Sequence, residues 1–128
     1  MLFDTTVLID LQRESRRDEE GRARRFLRTH SDAEMSISVV TAIEFAEGFV
    51  TDKRSYWEIT LRSFQILSIS KAMAWQAGQM RRRLREEGVS IGDNDLLIAT
   101  TAIHHSLRLV TRNERHFGNI DGLNILTY

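Results

Sequence analysis

Short apolar stretches alternate with helical apolar patterns along the whole chain. The short stretches are rich in aliphatic residues and too brief for helices, which is typical of buried strands. They predict five strands, at residues 1–3, 35–40, 65–69, 108–111 and 124–127. Apolar residues at helical spacing predict helices directly after Asp4, within 90–102, and over 18–29, 41–48, 52–64 and 71–87.

This alternation of strands and helices predicts a parallel sheet with helices on both faces, because parallel strands need long crossover connections. The chain has 128 residues and no prolines, repeats, low-complexity segments or linkers. A chain of this size can bury a substantial core. We therefore expect residues 1–128 to form a single α/β domain, an α/β/α sandwich.

The composition excludes several kinds of functional site and a membrane-spanning segment. The absence of cysteine excludes disulfides, thiolate metal sites and a thiol nucleophile. No apolar run approaches the roughly 18 residues that a membrane-spanning helix needs, and the N-terminus does not resemble a signal peptide. We expect a soluble, cytoplasmic protein with no membrane association.

The net charge is zero, from 18 basic and 18 acidic residues, so no global field attracts nucleic acid. The basic residues are almost all arginines, which cluster at 13–28 and 81–85. Guanidinium groups suit bidentate contacts with phosphate. The first cluster is either a rim for an RNA backbone or a solvated, charged helix face, and the sequence leaves both open.

Three acids fall near predicted strand ends. Asp4 closes the first strand, Glu44 lies in the first turn after the second, and Asp95 opens the helix that leads to the fourth. Ligands of open parallel sheets bind outside the carboxyl ends of the strands. Each acid also has a structural alternative: Asp4 as a helix cap, Thr41 and Glu44 as a capping box, and any of them as a complement to a helix dipole.

The segment 90–102 (SIGDNDLLIATTA) contains two aspartates with different expected roles. Asp95 shares a helical face with Ile98, Ala99 and Ala102, so a packed face ends in a carboxylate that needs a partner. Asp93 lies just outside the predicted helix, where a capping side chain belongs. We expect Asp95 to be the functional acid, with Asp93 holding the first helical amides and reaching at most the edge of the site.

Carboxylates gathered at one sheet edge repel one another, and a hard divalent cation with oxygen ligands relieves that repulsion. The chain has no cysteine, and its four histidines lack the spacing of metal ligands. We expect these histidines at the surface or next to ligands rather than as ligands. The donor set therefore favours Mg²⁺ or Mn²⁺ over zinc.

Four ordered motifs resemble those of the PIN-domain family. They are FDTTVLID, SVVTAIEFAEG, IGDNDLLIATTAI and LVTRNERHF, and together they span nearly the whole chain. Within this family the chain is similar to the VapC-type ribonuclease toxins of bacterial toxin–antitoxin pairs. The resemblance implies a doubly wound sheet with strand order 3-2-1-4-5 and endonucleolytic cleavage of RNA with Mg²⁺ or Mn²⁺.

By matching position, the resemblance implies Asp4, Glu44 and Asp95 as the catalytic acids and metal ligands. The cation would generate a hydroxide-like nucleophile, and in-line attack would leave a 5′-phosphate and a 3′-hydroxyl, as in similar nucleases. Where the family has a fourth acid this chain has Asn113, and His116 replaces a common aspartate. We therefore expect one firmly held cation rather than two.

Several polar side chains near the motifs are candidates for orienting the attacking water or a phosphate. They are Thr5, Thr6, Thr111 and Asn113. The threonines could equally be helix caps or strand ends.

The resemblance also implies protein partners. Similar toxins form homodimers and are silenced by a small antitoxin whose extended tail packs between helices and blocks the pocket. The apolar faces around Phe26, Leu27 and Phe49 are candidates for the antitoxin contact. Trp75 lies off the apolar stripe of its helix, so a subunit or partner contact is expected there, whereas Trp57 is expected in the core.

Two other functions are consistent with parts of the pattern. One is an aspartate-dependent phosphoryl-transfer domain with Asp4 as nucleophile, although Thr6 stands where a dehalogenase-like phosphatase has a second aspartate. The other is an inert PIN-like module that binds RNA or antitoxin without catalysis, which Asn113 and His116 keep open.

Overall fold

The structure, a computed structural model, describes all residues from 1 to 128. Five strands form one sheet: β1 (Leu2–Phe3), β2 (Ser36–Ser38), β3 (Gln65–Leu67), β4 (Leu109–Val110) and β5 (Ile125–Leu126). Their order is β3-β2-β1-β4-β5, and every neighbouring pair is parallel. The predicted α/β class, parallel sheet and strand order are confirmed.

Seven α-helices surround this sheet: α1 (Thr5–Arg17), α2 (Arg22–Thr29), α3 (Val39–Glu47), α4 (Arg54–Leu61), α5 (Lys71–Glu86), α6 (Asp93–His104) and α7 (Glu114–Phe117). A short 3₁₀ turn, Thr51–Lys53, precedes α4. None of the helices combines the length and apolar character that crossing a bilayer requires.

The helices cover both faces because successive strand residues point to opposite sides of a sheet. Leu2 joins a core with residues of α5 and α6, whereas Phe3 joins a second core with residues of α1, α3 and α4. Leu109 and Val110 divide between the two cores in the same way. A two-residue central strand therefore contributes one fully buried side chain to each layer.

The chain reverses its direction of travel across the sheet between β1 and β4. The path from β1 leads through β2 to β3 on one side, and then crosses to β4 and β5 on the other. The crevice at the carboxyl edge of such a switch point is where open α/β sheets bind ligands.

Several predicted boundaries were wrong by a few residues. The second strand ends at Ser38 rather than residue 40, because the Ser38 hydroxyl accepts a hydrogen bond from the Val40 amide (3.2 Å) and caps α3. Thr41 therefore lies inside α3, and the capping box proposed for Thr41 and Glu44 does not exist. The helix predicted over 18–29 begins only at Arg22.

The link between α1 and α2 explains that later start. Asp18 adopts a left-handed conformation (φ 52°) and ends α1. Glu14 then reaches from α1 to the next helix, where its carboxylate accepts hydrogen bonds from the amides of Ala23 (3.0 Å) and Arg24 (2.9 Å). A side chain distant in sequence thus takes the place of the local cap that α2 lacks.

Candidate active site

The three predicted acids lie on three elements that meet at the crevice. Asp4 follows β1, Glu44 lies in the second turn of α3, and Asp95 lies in the first turn of α6. Glu44 joins the other two elements: one carboxylate oxygen accepts a hydrogen bond from the Thr5 hydroxyl, and the other accepts one from the Asn94 amide group (3.0 Å). The fold therefore brings the N-terminal ends of α1 and α6 to the same glutamate.

Asp4 is buried, with 4% of its surface exposed, and both of its carboxylate oxygens are occupied. One accepts a hydrogen bond from the Thr5 amide (2.7 Å), which makes Asp4 the N-cap of α1. The other accepts hydrogen bonds from the hydroxyls of Thr6 (3.0 Å) and Thr111 (2.8 Å). The capping interpretation is confirmed for Asp4, and the same geometry fixes its carboxylate at the end of β1.

Asp95 is half-buried and is electrostatically coupled to the other two acids. Burial raises the pKa of the Asp95 carboxyl, and the negative charges of Asp4 and Glu44 raise this pKa further. His116 acts in the opposite direction and lowers the pKa, with its ring Nδ1 lying 3.2 Å from a carboxylate oxygen of Asp95. The packed face behind Asp95 is as predicted, since Ile98, Ala99 and Ala102 are fully buried.

Asp93 does not have its expected role. The helix begins one residue earlier than predicted, with Gly92 as an N-cap that makes no side-chain bond and Asp93 as its first residue. The Asp93 carboxylate instead forms an exposed ion pair with Arg81 of α5 (2.7 Å). Asp93 therefore turns away from the acidic cluster.

The four supporting residues all lie beside the acids, although in different ways. The hydroxyls of Thr5, Thr6 and Thr111 donate to the carboxylates of Glu44 or Asp4. Asn113 contacts this group through its backbone amide, which donates to the Thr111 hydroxyl (3.0 Å). The threonines thus orient the carboxylates themselves.

Sequence reasoning missed Asn94 but predicted the surroundings of His116. Asn94 lies in the segment 90–102, where the sequence indicates no role for it, yet it contacts Glu44, which is 50 residues away in sequence. His116 was expected at the surface or next to a ligand, and it is largely exposed with its ring on Asp95. Its place three residues after Asn113, within the fourth motif, was the available signal.

The donor chemistry of the cluster fits a hard divalent cation. Every candidate ligand is a carboxylate. Burial is the main cause of the raised pKa of Asp95, and the charges of Asp4 and Glu44 add a repulsion that a cation would offset. As positioned, no three acidic or histidine side chains are close enough to hold one ion together. Shared coordination by Asp4, Glu44 and Asp95 would require their carboxylates to move closer.

Part of the arginine cluster of α1 and α2 is balanced by acids. A groove of about 370 Å³ beside these helices is lined by Arg13, Arg17, Arg22 and Arg112, together with Asp10, Glu14, Glu19, Glu20 and Gly21. Four arginines face four acids there, so the formal charge is zero. Arg16 and Arg24 instead line, with Lys53, a second groove that has no acidic lining residue, so both alternatives for the cluster stay open.

The fold and the acidic crevice define a protein class, and comparison with known proteins agrees with it. The chain belongs to the PIN domain family, whose model matches residues 1–123. It is 31% identical to Ribonuclease VapC1 of Methanocaldococcus jannaschii over the whole chain and 86% of that relative. It is 39% identical to Ribonuclease VapC10 of Mycobacterium tuberculosis over 67% of the chain and 65% of that relative.

A similar solved structure is the DNA-bound VapBC complex from Salmonella typhimurium. It matches with a TM-score of 0.85 and 25% identity, and the match covers 98% of this chain and 96% of the other. The resemblance identified from the four motifs is therefore confirmed.

Proposed function

We propose that this protein is a metal-dependent endoribonuclease and the toxin of a type II toxin–antitoxin pair. The observation that carries the proposal is the meeting of Asp4, Glu44 and Asp95 at the carboxyl edge of a PIN-domain sheet. The relatives named as VapC ribonucleases support the same activity. Because a ribonuclease toxin must reach cellular RNA, we expect the protein in the cytoplasm. We also expect residues 1–128 to function as one domain.

In this proposal Asp4, Glu44 and Asp95 hold Mg²⁺ or Mn²⁺. Such an ion, when bound, lowers the pKa of its water and stabilises negative charge on the phosphoryl oxygens of RNA. With Asn113 in place of a fourth acid, we expect a single firmly bound ion.

The surrounding residues have positioning roles. The Thr5 hydroxyl and the Asn94 amide group restrain the two oxygens of Glu44, and Thr6 and Thr111 restrain Asp4. These bonds limit the conformations that the two carboxylates sample before they move closer to share an ion. His116 provides a donor or a positive charge beside Asp95 when no cation is present.

The geometry argues against Asp4 as a phosphoryl-accepting nucleophile. Its carboxylate is almost fully buried, and its oxygens already accept three hydrogen bonds. A nucleophile must turn an oxygen toward the phosphorus for in-line attack, and these bonds hold both oxygens in place. A metal ligand needs only a free lone pair, which the oxygen bound to the Thr5 amide keeps.

A cognate antitoxin is the expected protein partner. Of the three apolar residues considered for this contact, Phe49 lines an open groove of about 540 Å³ with Leu11 and Tyr56. Phe26 is also half-buried, and its ring packs against Phe3 and Tyr128 rather than lining this groove. The groove at Phe49 is therefore the surface we propose for an antitoxin segment.

We also propose that the protein is a homodimer. Trp75 on α5 has 71% of its surface exposed, the largest exposed fraction among the large hydrophobic residues. A buried tryptophan contributes strongly to protein interfaces, which favours this position as a subunit contact. Light scattering of wild type and of Trp75→Arg should show a dimer and a monomer, respectively.

The nuclease proposal is tested by purifying the protein without antitoxin and incubating it with RNA. Cleavage is expected with Mg²⁺ or Mn²⁺, and its loss with EDTA or in Asp95→Asn. Asp32→Asn, which changes an exposed aspartate remote from the cluster, serves as the matched control. Cleavage that survives both chelation and Asp95→Asn contradicts the proposal.

Titration with Mn²⁺ separates the nuclease from an inert binding module. A calorimetric signal that disappears in Asp95→Asn supports the metal site. A silent titration at millimolar Mn²⁺ together with absent cleavage would favour the inert module.

A further inference from the structure

Asp10 is a buried carboxylate that lies outside the acidic cluster. It belongs to α1, and only 9% of its surface is exposed. One of its oxygens accepts hydrogen bonds from the Arg112 guanidinium (2.7 Å) and from the Tyr128 hydroxyl (2.8 Å). Buried carboxylates are costly unless they are paired, so Arg112 provides the necessary charge.

Arg112 connects this buried pair to the acidic cluster through its own backbone. Its amide donates to the Thr6 hydroxyl (3.3 Å), and that hydroxyl donates to Asp4. The preceding residue, Thr111, donates its hydroxyl to the same oxygen of Asp4. The turn after β4 therefore carries a side chain fixed on Asp10 and, one residue earlier, a hydroxyl fixed on Asp4.

We propose that Asp10 is a positioning residue for the acidic site. By binding the Arg112 guanidinium, it holds the turn formed by residues 111–113 so that the Thr111 hydroxyl stays on Asp4. The kinetic consequence of this role rests on the proposed ribonuclease function. Residues that orient a ligand from outside its direct contacts commonly change activity or affinity by about 10- to 100-fold when they are replaced.

Tyr128 strengthens this arrangement from the end of the chain. Burial, and next the hydrogen bond to Asp10, raise the pKa of the Tyr128 phenol well above its ordinary value, so the hydroxyl stays protonated and donates. The ring is held in place against Phe26, at a centroid distance of 6.0 Å. Tyr128→Phe would therefore remove one donor from Asp10, and the contact of the phenol with the Thr6 side chain, while it preserves the aromatic packing and the ion pair.

A role of Arg112 in binding RNA is the competing explanation. Its side chain is 45% exposed, and the guanidinium has donors that Asp10 does not use. The charge-balanced groove around it offers no excess of positive charge for phosphate. The two explanations differ in kinetics, because lost RNA binding raises KM whereas lost positioning lowers kcat.

The experiment compares wild type, Asp10→Asn, Tyr128→Phe and Glu58→Gln in the full chain. Glu58 forms an exposed ion pair with Arg54 on α4 (2.7 Å), so its change is a matched loss of one carboxylate charge. Cleavage of a fluorophore–quencher RNA oligonucleotide with Mn²⁺ gives kcat and KM at a temperature where every variant is folded. Amide NMR spectra of the metal-free proteins report the geometry of the turn independently of activity.

Positioning predicts that Asp10→Asn lowers kcat about tenfold or more with KM unchanged. Tyr128→Phe should lower kcat less, by about fivefold, because it removes one hydrogen bond. Glu58→Gln should match wild type. If Asp10→Asn does not fold, the kcat and KM of Tyr128→Phe alone test the proposal.

A change in KM with unchanged kcat would overturn the proposal in favour of RNA binding by Arg112, because Asp10→Asn releases the guanidinium. Unchanged kcat and KM in a folded Asp10→Asn protein would overturn it in favour of a purely structural pair. If the wild-type protein cleaves no RNA, the proposed ribonuclease function is wrong, and the NMR spectra then test the positioning role of Asp10 by themselves. Shifts of the Thr5 and Thr111 amides in Tyr128→Phe then support positioning, and unshifted amides refute it.

Discussion

Replacing Thr111 with valine removes one hydroxyl from the acidic site while it preserves the shape of the side chain. Thr111 is fully buried, and its hydroxyl donates to Asp4 (2.8 Å) and accepts from the Asn113 amide (3.0 Å). A hydrogen bond to a charged group contributes about 1.5–3 kcal/mol to stability. The Asn113 amide also loses its acceptor, so we expect Thr111→Val to cost about 2–3 kcal/mol.

This cost corresponds to a fall in Tm of about 8–12 °C, at about 4 °C per kcal/mol for a chain of this length. Thermal unfolding followed by circular dichroism or calorimetry in EDTA measures the fall. Activity should also drop, by about tenfold or more in kcat, because Asp4 loses a donor that orients it.

Thr100→Val is the matched control for this change. Thr100 is equally buried, but its hydroxyl donates only to the Leu96 carbonyl of its own helix (2.8 Å), one turn earlier. Its loss should therefore cost less than about 1 kcal/mol, or less than about 4 °C. A Tm of Thr111→Val no lower than that of Thr100→Val would refute a stabilising contact between Thr111 and Asp4.

Three further predictions follow from the same structure. The pKa of Asp95 is raised in the folded state, so its ionised form lowers the stability of the fold above that pKa. This cost disappears as the pH falls below the unfolded value of 3.8. Asp95→Asn should therefore raise the Tm at neutral pH in EDTA and leave the Tm unchanged near pH 3. Thr41→Val should stabilise the fold by about 1 kcal/mol in urea unfolding, because the buried Thr41 hydroxyl has no hydrogen-bond partner, and a loss of stability would contradict this. Gly21→Ala should lower the Tm, because the new Cβ would lie 2.2 Å from the Glu14 carboxylate that caps α2. Gly78→Ala, in open space on α5, should instead stabilise the fold by about 0.5–1 kcal/mol. Equal effects of the two substitutions on the Tm would contradict the reasoning.

The amino-acid sequence alone determined the elements and the acidic positions. Strand and helix periods are local properties, so the five strands, their parallel arrangement and the placement of Asp4 and Asp95 near helix starts were readable from spacing. The packed helical face behind Asp95 was also readable, because the spacing of Ile98, Ala99 and Ala102 is local. The reason given for Asp93 was wrong, since the start of α6 depends on the backbone of Gly92.

Only the tertiary structure decided which groups meet. Glu44 contacts Thr5 and Asn94, which lie 39 and 50 residues away, and Arg112 contacts Asp10 across 102 residues. Such pairs depend on how the chain crosses the sheet between β1 and β4 and on the directions of the side chains. Neither property produces a periodic pattern in the sequence, so neither could be predicted from it. The sequence therefore specified three acids near one edge of a sheet, and the packing of α1, α3 and α6 made them neighbours whose charges affect one another.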